Sequence, residues 1–348
     1  MTISEWKTTM QDTGIVIIGR NEGQRLPICI ESVGANYPVI YVDSGSTDGS
    51  PEIAKKMGAT VWQLDPSLPF SAARARNEGY AQLMRSAPGV RFVQFLDGDC
   101  IMDPQWLSKA SEAFANGSDL AIVCGRLRER FRDRSIYNRL CDIEFDTPSG
   151  LIEECGGILL MESKAFLQAG GFNSQMIAGE EPELCVRLRQ AGWKIRRIDA
   201  EMARHDAAIL SFSAWWKRVM RGGYAAAIGA SMHGSGPEHH RIDQVRSALL
   251  WGGILPLIAI VAAWPTQGWS LGLLVVYPLQ WLRLFYRQFK RSKSLQDAIV
   301  GATFRLVGKF PELYGMIKFV LHRWRGRKGV LIEYKTGAVS ELVPTVNK

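Results

Sequence analysis

The run Phe92-Val-Gln-Phe-Leu-Asp-Gly-Asp99 is an apolar strand that stops on two carboxylates separated by one glycine. A strand of that character belongs inside a parallel sheet covered on both faces, and ligands enter such a sheet at the carboxyl ends of its strands. Two other apolar runs end comparably: Gly14–Ile18 leads into Arg20-Asn21-Glu22, and Val39–Asp43 opens the loop Asp43-Ser-Gly-Ser-Thr-Asp-Gly-Ser50. Three polar loops at one sheet edge are more than a set of unrelated turns.

The rest of the first two thirds fits that frame. Strands are also predicted at Thr60–Leu64, Leu120–Cys124, Ile158–Met161 and Lys194–Ile198. Helical patterns fall between them at 24–33, 51–57, 71–85, 104–114, 163–168 and 180–190. Alternation of this kind indicates an α/β layer fold on a mostly parallel sheet. Pro51 and Pro104 stand where a first helical turn tolerates proline, and Gly58 and Gly192 just past helix ends.

Beyond residue 230 the character changes. A polar linker, His233-Gly-Ser-Gly-Pro-Glu-His-His240, precedes two apolar runs, Ala248–Trp264 and Trp269–Leu282. Each is near the short limit of roughly 17 residues for a bilayer crossing. They predict a helical hairpin that either spans a membrane or lies re-entrant, with Trp251, Trp264, Trp269 and Trp281 near its ends. Residues 283–328 then carry twelve basic and two acidic residues, more than the whole chain's excess of +8. Charge concentrated directly after apolar runs points to an anionic membrane surface, not to nucleic acid. Residues 299–321 read as a helix with apolar and cationic sides, suited to a lipid interface or to packing on the preceding domain. We therefore divide the chain into a catalytic domain at 14–230, a membrane-associating region at 241–328 and a tail at 329–348. Nothing from Met1 to Thr13 resembles a signal peptide, which predicts a cytoplasmic start. Six scattered cysteines without a C-x-x-C pair read as reduced core thiols.

Carboxylates at Asp97 and Asp99 offer hard oxygen ligands, suited to Mg²⁺ or Mn²⁺ bridging to a diphosphate, and Gly98 lets the backbone come close to the ligand. Asp43, at its strand end, can accept hydrogen bonds from a ribose or base edge, and Arg20, Asn21 and Glu22 flank the same space.

The chain resembles the family-2 nucleotide-sugar glycosyltransferases of the GT-A fold, particularly bacterial exopolysaccharide enzymes. The resemblance rests on Ile15-Val-Ile-Ile-Gly-Arg-Asn-Glu22, Val42-Asp-Ser-Gly-Ser-Thr-Asp-Gly-Ser50, Ala72-Ala-Arg-Ala-Arg-Asn77, Asp97-Gly-Asp99, and Gly170-Gly-Phe172 followed by Glu180-Glu181. It covers about residues 14 to 225. It implies that Asp43 contacts the donor's base or ribose, that Asp97 serves ribose or metal, and that Asp99 and His205 hold the metal. Arg74 and Arg76 become candidates for donor contacts, while Asn77 fixes loop geometry. The family's base is the second acid of a Glu-Asp pair opening a helix; here Glu181 holds that position, with a longer side chain than the usual Asp, so Glu180 remains an alternative. The processive members' Q-x-x-R-W motif is missing where Trp215-Trp-Lys-Arg218 and Arg221-Gly-Gly-Tyr224 stand. That implies transfer of one sugar, with Arg218 or Arg221 neutralising the departing diphosphate.

The expected activity is inverting, metal-dependent transfer of a single sugar from a nucleoside-diphosphate donor, expected to be UDP-linked, to a lipid-linked saccharide at the cytoplasmic face of the inner membrane. A nucleotidyltransferase is disfavoured because Gly19-Arg-Asn-Glu22 is no glycine-rich G-x-G-x-R loop. A non-catalytic assembly protein is disfavoured by the intact acids, and a nicotinamide enzyme by the lack of G-x-G-x-x-G after a strand.

Overall fold

The computed structural model describes residues 12–117 and 119–326. The tail at 329–348, residues 327–328 of the basic region and the segment before Asp12 lie outside the described residues.

Strands β1 (Thr13–Gly19), β2 (Val39–Asp43), β3 (Thr60–Gln63) and β4 (Phe92–Asp97) pair in parallel in the order β3-β2-β1-β4. The first six residues of β1 are buried, as a central strand between two helical layers requires. Helices α1 (Arg25–Val33), α2 (Ser50–Lys56) and α3 (Ala72–Ser86) connect these strands. Ser71 caps α3 by accepting from the Arg74 backbone N–H at 3.2 Å. Gly79 lets α3 press onto the sheet: a Cβ there would lie 2.8 Å from Val42 Cγ2.

The far half of the sheet is mixed. β8 (Leu159–Glu162) runs antiparallel to β4 and to β6 (Leu120–Glu129), β6 pairs in parallel with β9 (Lys194–His205), and β5 (Cys100–Met102) and β7 (Gly150–Ile152) add antiparallel edges to β9. The architecture is thus a mixed α/β sheet of nine strands, its parallel part carrying the nucleotide-side loops. Both β6 and β9 run well past the predicted ends, by residues that alternate polar and apolar where a half-buried strand was not sought. Helices α4 (Trp106–Ala115), α5 (Ile136–Phe145), α6 (Ser163–Gln168) and α7 (Glu180–Gln190) complete this part. All six cysteines are thiols, five of them buried.

Helix α8 (Phe212–His233) links the sheet to the C-terminal region. Helix α9 (Ile242–Val261, with a π-helical turn at Leu250–Ile254) is the one helix among the described residues long and apolar enough to cross a bilayer, by length and composition. The second apolar run differs from the expected α-helix. It begins as a 3₁₀ helix, Trp269–Val275, and becomes α10 (Val276–Ser292), whose second half is basic. The two arms do form a hairpin: Ser270 Oγ donates to the Ala259 carbonyl at 2.7 Å, and Tyr277 packs edge-on against Trp251. Trp264 and Trp269, at its turn, are 93% and 85% exposed.

Residues 299–321 are two helices, not one: α11 (Leu295–Val307) and α12 (Lys309–Trp324). Pro311 has no N–H to continue α11's ladder and is tolerated only in the first turn of a new helix. The expectation of packing on the preceding domain holds. α12 packs on α8 where Gly223 and Gly315 allow backbone contact, a Cβ on Gly223 falling 2.6 Å from the Glu312 carbonyl carbon. Its other face leaves Phe310, Tyr314, Ile317, Val320 and Trp324 exposed.

Candidate active site

The carboxyl ends of β1, β2 and β4 meet at one edge, and the loops after them interlock. Asn21, at φ 55°, accepts the Thr47 N–H through Oδ1 at 2.8 Å, and its own N–H donates to Ser46 Oγ at 2.9 Å. Asp43 is 2% exposed; its Oδ2 accepts the N–H groups of Gly45 and Ser46 at 2.9 and 2.8 Å, and Tyr41 donates to Oδ1 at 3.2 Å. Burial and the adjoining Asp43 push the Tyr41 phenol well above its ordinary range. Arg20 lies over the Phe70 ring at 5.6 Å and Glu22 pairs with Arg25 at 2.8 Å. Asp43, Asn21 and the flanking Arg20 and Phe70 therefore frame one small slot.

Arg76 is the hub of the site. From α3 its Nη1 donates to Glu180 Oε1 and Glu181 Oε1 at 3.0 and 2.9 Å, and its Nη2 to Asp97 Oδ1 at 3.0 Å. The guanidinium sits 5.6 Å from the Phe172 ring centroid. Three carboxylates around one buried cation hold it ionised, against the cost of burial. Arg74 has a different job. Its side chain donates to Glu78 and to the carbonyls of Asp65 and Leu68, so it pins the loop before α3 and is not brought to the acids.

Glu180 and Glu181 open α7 behind Gly179, whose φ of 79° a side-chain-bearing residue would resist. Burial first, then the negative charge of Glu180, raise the Glu181 carboxyl from 4.5 to about 7, although Arg76 opposes the shift. A carboxyl titrating there is matched to proton abstraction near neutrality. The third acid, Glu183, turns away: it pairs with Arg187 at 2.6 Å and with His233 Nε2 at 3.1 Å. Arg187 also holds the Gly171 carbonyl, and Asn77 bonds Phe172 through both its N–H and its carbonyl, so Asn77 does fix this loop.

Strand pairing builds the metal candidates. Cys100 is the register partner of His205 across β5 and β9, and Glu129 is its partner across β6 and β9. One ligand atom from each of Asp99, Cys100 and His205 lies within 4.8 Å of the others. His205 Nε2 is 3.4 Å from Asp99 Oδ2, and its Nδ1 is 3.6 Å from Glu129 Oε2. Next door, the Asp206 N–H donates to the Asp99 carbonyl at 3.1 Å, and buried Asp206 Oδ1 has no hydrogen-bond partner among the described residues. Buried carboxylate oxygen beside an imidazole and a second carboxylate fits a hard or borderline dication. Cys100, a soft ligand, bonds Asp99 at 3.4 Å and fits a dication such as Mn²⁺ poorly. Asp97 is separate from this trio, held by Arg76.

On α8, Arg221 donates to the Ile177 carbonyl at 3.0 Å, in the loop ahead of Glu180. Arg218 pairs with Glu144 at 2.8 Å, beside Phe145, whose ring packs edge-on against His205. The two arginines thus flank the base side and the metal side. Glu129 and Gly157 were not singled out from sequence, and Phe172 only as the end of the Gly170-Gly-Phe172 motif. Glu129 places a buried carboxylate 3.6 Å from His205 Nδ1. Phe172 faces Arg76. Gly157 leaves room for the cluster: a Cβ there would clash with Arg76 Nη2 and lie 2.7 Å from Glu181 Oε1. The pair Gly156-Gly157 before a predicted strand was the available signal.

Residues 14–157 match the model of glycosyl transferase family 2, and residues 140–207 that of the N-terminal domain of galactosyltransferase. The chain is 29% identical over 214 residues to glycosyltransferase AglE of Haloferax volcanii, covering 58% of this chain and 68% of that one. It is 25% identical over 181 residues to the O-antigen chain rhamnosyltransferase WbaN of Salmonella anatum, covering 48% of this chain and 56% of WbaN. Among solved structures, the mannosyltransferase PcManGT of Pyrobaculum calidifontis, in complex with GDP-Man and Mn²⁺, has a TM-score of 0.55 at 17% identity, covering 85% and 87% of the two chains.

Proposed function

Because the chain is a family-2 glycosyltransferase of the GT-A fold, we propose that it moves a single sugar, with inversion, from a nucleoside-diphosphate donor to a lipid-linked saccharide. The observation that carries this reading is the single constellation of Arg76, Asp97, Glu180 and Glu181 beside Asp99 and His205. The acceptor hydroxyl gives its proton to Glu181 as its oxygen attacks the anomeric carbon, and the bond from that carbon to the diphosphate breaks on the opposite side. Glu180 and Arg76 hold the base in place and set its basicity. The slot at Asp43 and Asn21, with Arg20 and Glu22 at its rim, receives the base and ribose; Asp97 and Gly98 lie below the ribose and diphosphate. Asp99 and His205 would hold a divalent cation, Mn²⁺ or Mg²⁺, which would supply positive charge to the leaving diphosphate. Arg218 and Arg221 add to that charge from α8.

Membrane association is supported by α9, by the exposed Trp264 and Trp269, and by the cations of α10 and α12. We place residues 14–230 as the catalytic domain and 241–328 as the part that rests on, or enters, the cytoplasmic face of the inner membrane. Bacterial exopolysaccharide or cell-surface glycan synthesis is the setting this suits; WbaN is named for an O-antigen chain. The deciding experiment is calorimetry of nucleoside diphosphates and their sugars with detergent-purified protein, with Mn²⁺ or EDTA, repeated on Asp99→Ala. Metal-dependent binding of one nucleotide, lost in Asp99→Ala, is expected. A folded protein that binds none of them would refute the reading.

A further inference from the structure

A cavity of about 240 Å³ lies between α8, α12 and the loop that follows Phe172. Met176, Ile177, Ile228, Met232 and Phe319 make most of its wall, and Arg323 stands among them. Tyr224 closes one side, its ring edge-on to Phe319 at 5.5 Å and its hydroxyl 3.4 Å from His322 Nδ1. An apolar hollow with one cation and a few amide groups, here Asn173 and Gln175, is a binding site for an amphiphile, not for a free sugar.

Its position decides which amphiphile. Ile177 is both wall and anchor: Arg221 of α8 bonds its carbonyl, and three and four residues on come Glu180 and Glu181. A Cβ on Gly179 would lie 3.1 Å from Ala225 Cβ, so α8 packs directly on the start of the base helix. On its other side the cavity is bounded by α12, whose outward face carries the exposed Ile317, Val320 and Trp324 and the cations Lys318 and Arg325. The hollow therefore joins the surface offered to a membrane to the loop that carries the base.

We infer that this cavity holds the lipid end of the acceptor, an apolar chain with its phosphate on Arg323. The inference rests on the proposed lipid-linked acceptor and deepens it. The apolar chain enters from the α12 side, the phosphate stays beside Arg323, and the saccharide beyond it extends past Ile177 toward Glu181. Bulk anionic phospholipid shares the phosphate-on-chain chemistry, and the test separates the two sources.

The test uses the full chain in detergent with ¹³C-methyl methionine, the Met176 and Met232 signals being assigned from Met→Leu variants. Farnesyl phosphate is titrated in. Saturable shifts of both methyl signals are expected, weakened tenfold or more by Arg323→Ala and abolished by Ile228→Trp, which fills the hollow. Nucleoside-diphosphate binding stays unchanged in both variants. Farnesol should bind at least tenfold more weakly than the phosphate, and phosphatidylglycerol in mixed micelles should leave the two signals in place. Unmoved methyl signals with farnesyl phosphate would overturn the inference while leaving glycosyl transfer standing. Equal shifts with phosphatidylglycerol would overturn the assignment to the acceptor. Normal cavity binding together with full-rate transfer to a soluble saccharide would instead overturn the lipid-linked acceptor.

Discussion

Replacing Arg76 with methionine removes the one cation shared by Glu180, Glu181 and Asp97 while keeping the bulk of the side chain. Arg76 and Glu180 are 3% and 5% exposed and Glu181 is 15% exposed, so their charges are poorly screened; Asp97, at 35%, is partly relieved by water. Breaking a buried ion pair by deleting one partner costs about 3–5 kcal/mol, and we assign that whole range to the two glutamates. At about 2–4 °C per kcal/mol for a domain of this size, the melting temperature should fall by about 6–20 °C. The loss should depend on pH. Folding raises the Glu181 carboxyl from 4.5 to about 7, so its stabilising contribution is full below 4.5 and is lost as pH rises through 7. Arg76 lowers that pKa, so its removal raises it further, and the Glu181 part of the penalty grows where Glu181 would otherwise be ionised. Calorimetric melting at pH 8 and pH 5.5 should show a large difference from the unmodified protein at pH 8 and a smaller one at pH 5.5. The rise of kcat/KM with pH should move upward as well. Equal melting temperatures at pH 8 with an unmoved pH profile would refute the ion-cluster account.

Other expectations concern single groups. The unmodified enzyme's kcat/KM should climb about tenfold per pH unit below about 7 and level above it, because Glu181 must be ionised to take the proton; a flat profile between pH 5.5 and 8 argues against Glu181. Glu181→Gln should cost about 10²–10⁴-fold in kcat with donor affinity retained, read by steady-state kinetics beside calorimetry. His205→Ala should weaken Mn²⁺ binding, and Glu129→Gln should weaken it less, by removing a carboxylate charge 3.6 Å from the ring, measured by Mn²⁺ electron paramagnetic resonance. Gly157→Ala should lower kcat while leaving nucleotide binding intact, since its methyl group would displace Arg76 and Glu181 but not the Asp43 slot; unchanged turnover would show that the cluster has slack.

The parallel half of the fold was legible because its inner strands are largely apolar runs ending in polar residues, a local pattern. Val39–Asp43 and Glu180–Gln190 coincide with observed elements to the residue. The mixed half was not. Cys100–Met102 is too short to carry a period, and the ends of β6 and β9 are half-exposed strands rich in arginine, which acquire order only by pairing with one another. Site residues followed the same division. The acids could be read singly from their strand and helix ends, but their sharing of Arg76 joins residues 21 to 105 positions apart, and no local pattern encodes that. Arg74 shows the converse: two residues before Arg76 it looks equivalent in sequence, yet it leaves the helix on the opposite side, where Glu78 and the carbonyls of Asp65 and Leu68 hold it.

The close crossing at Gly223 and Gly315 sets the working height of the enzyme. With backbone against backbone, α8 and α12 have no side-chain cushion in which to slide, and α8 in turn presses on the start of α7 through Ala225. The separation between whatever surface α12 rests on and the carboxylate of Glu181 is thus a fixed length of the molecule. On the proposed reading, an acceptor tethered to that surface would be measured by it, and the hydroxyl within reach of Glu181 would be the one that stands at that height.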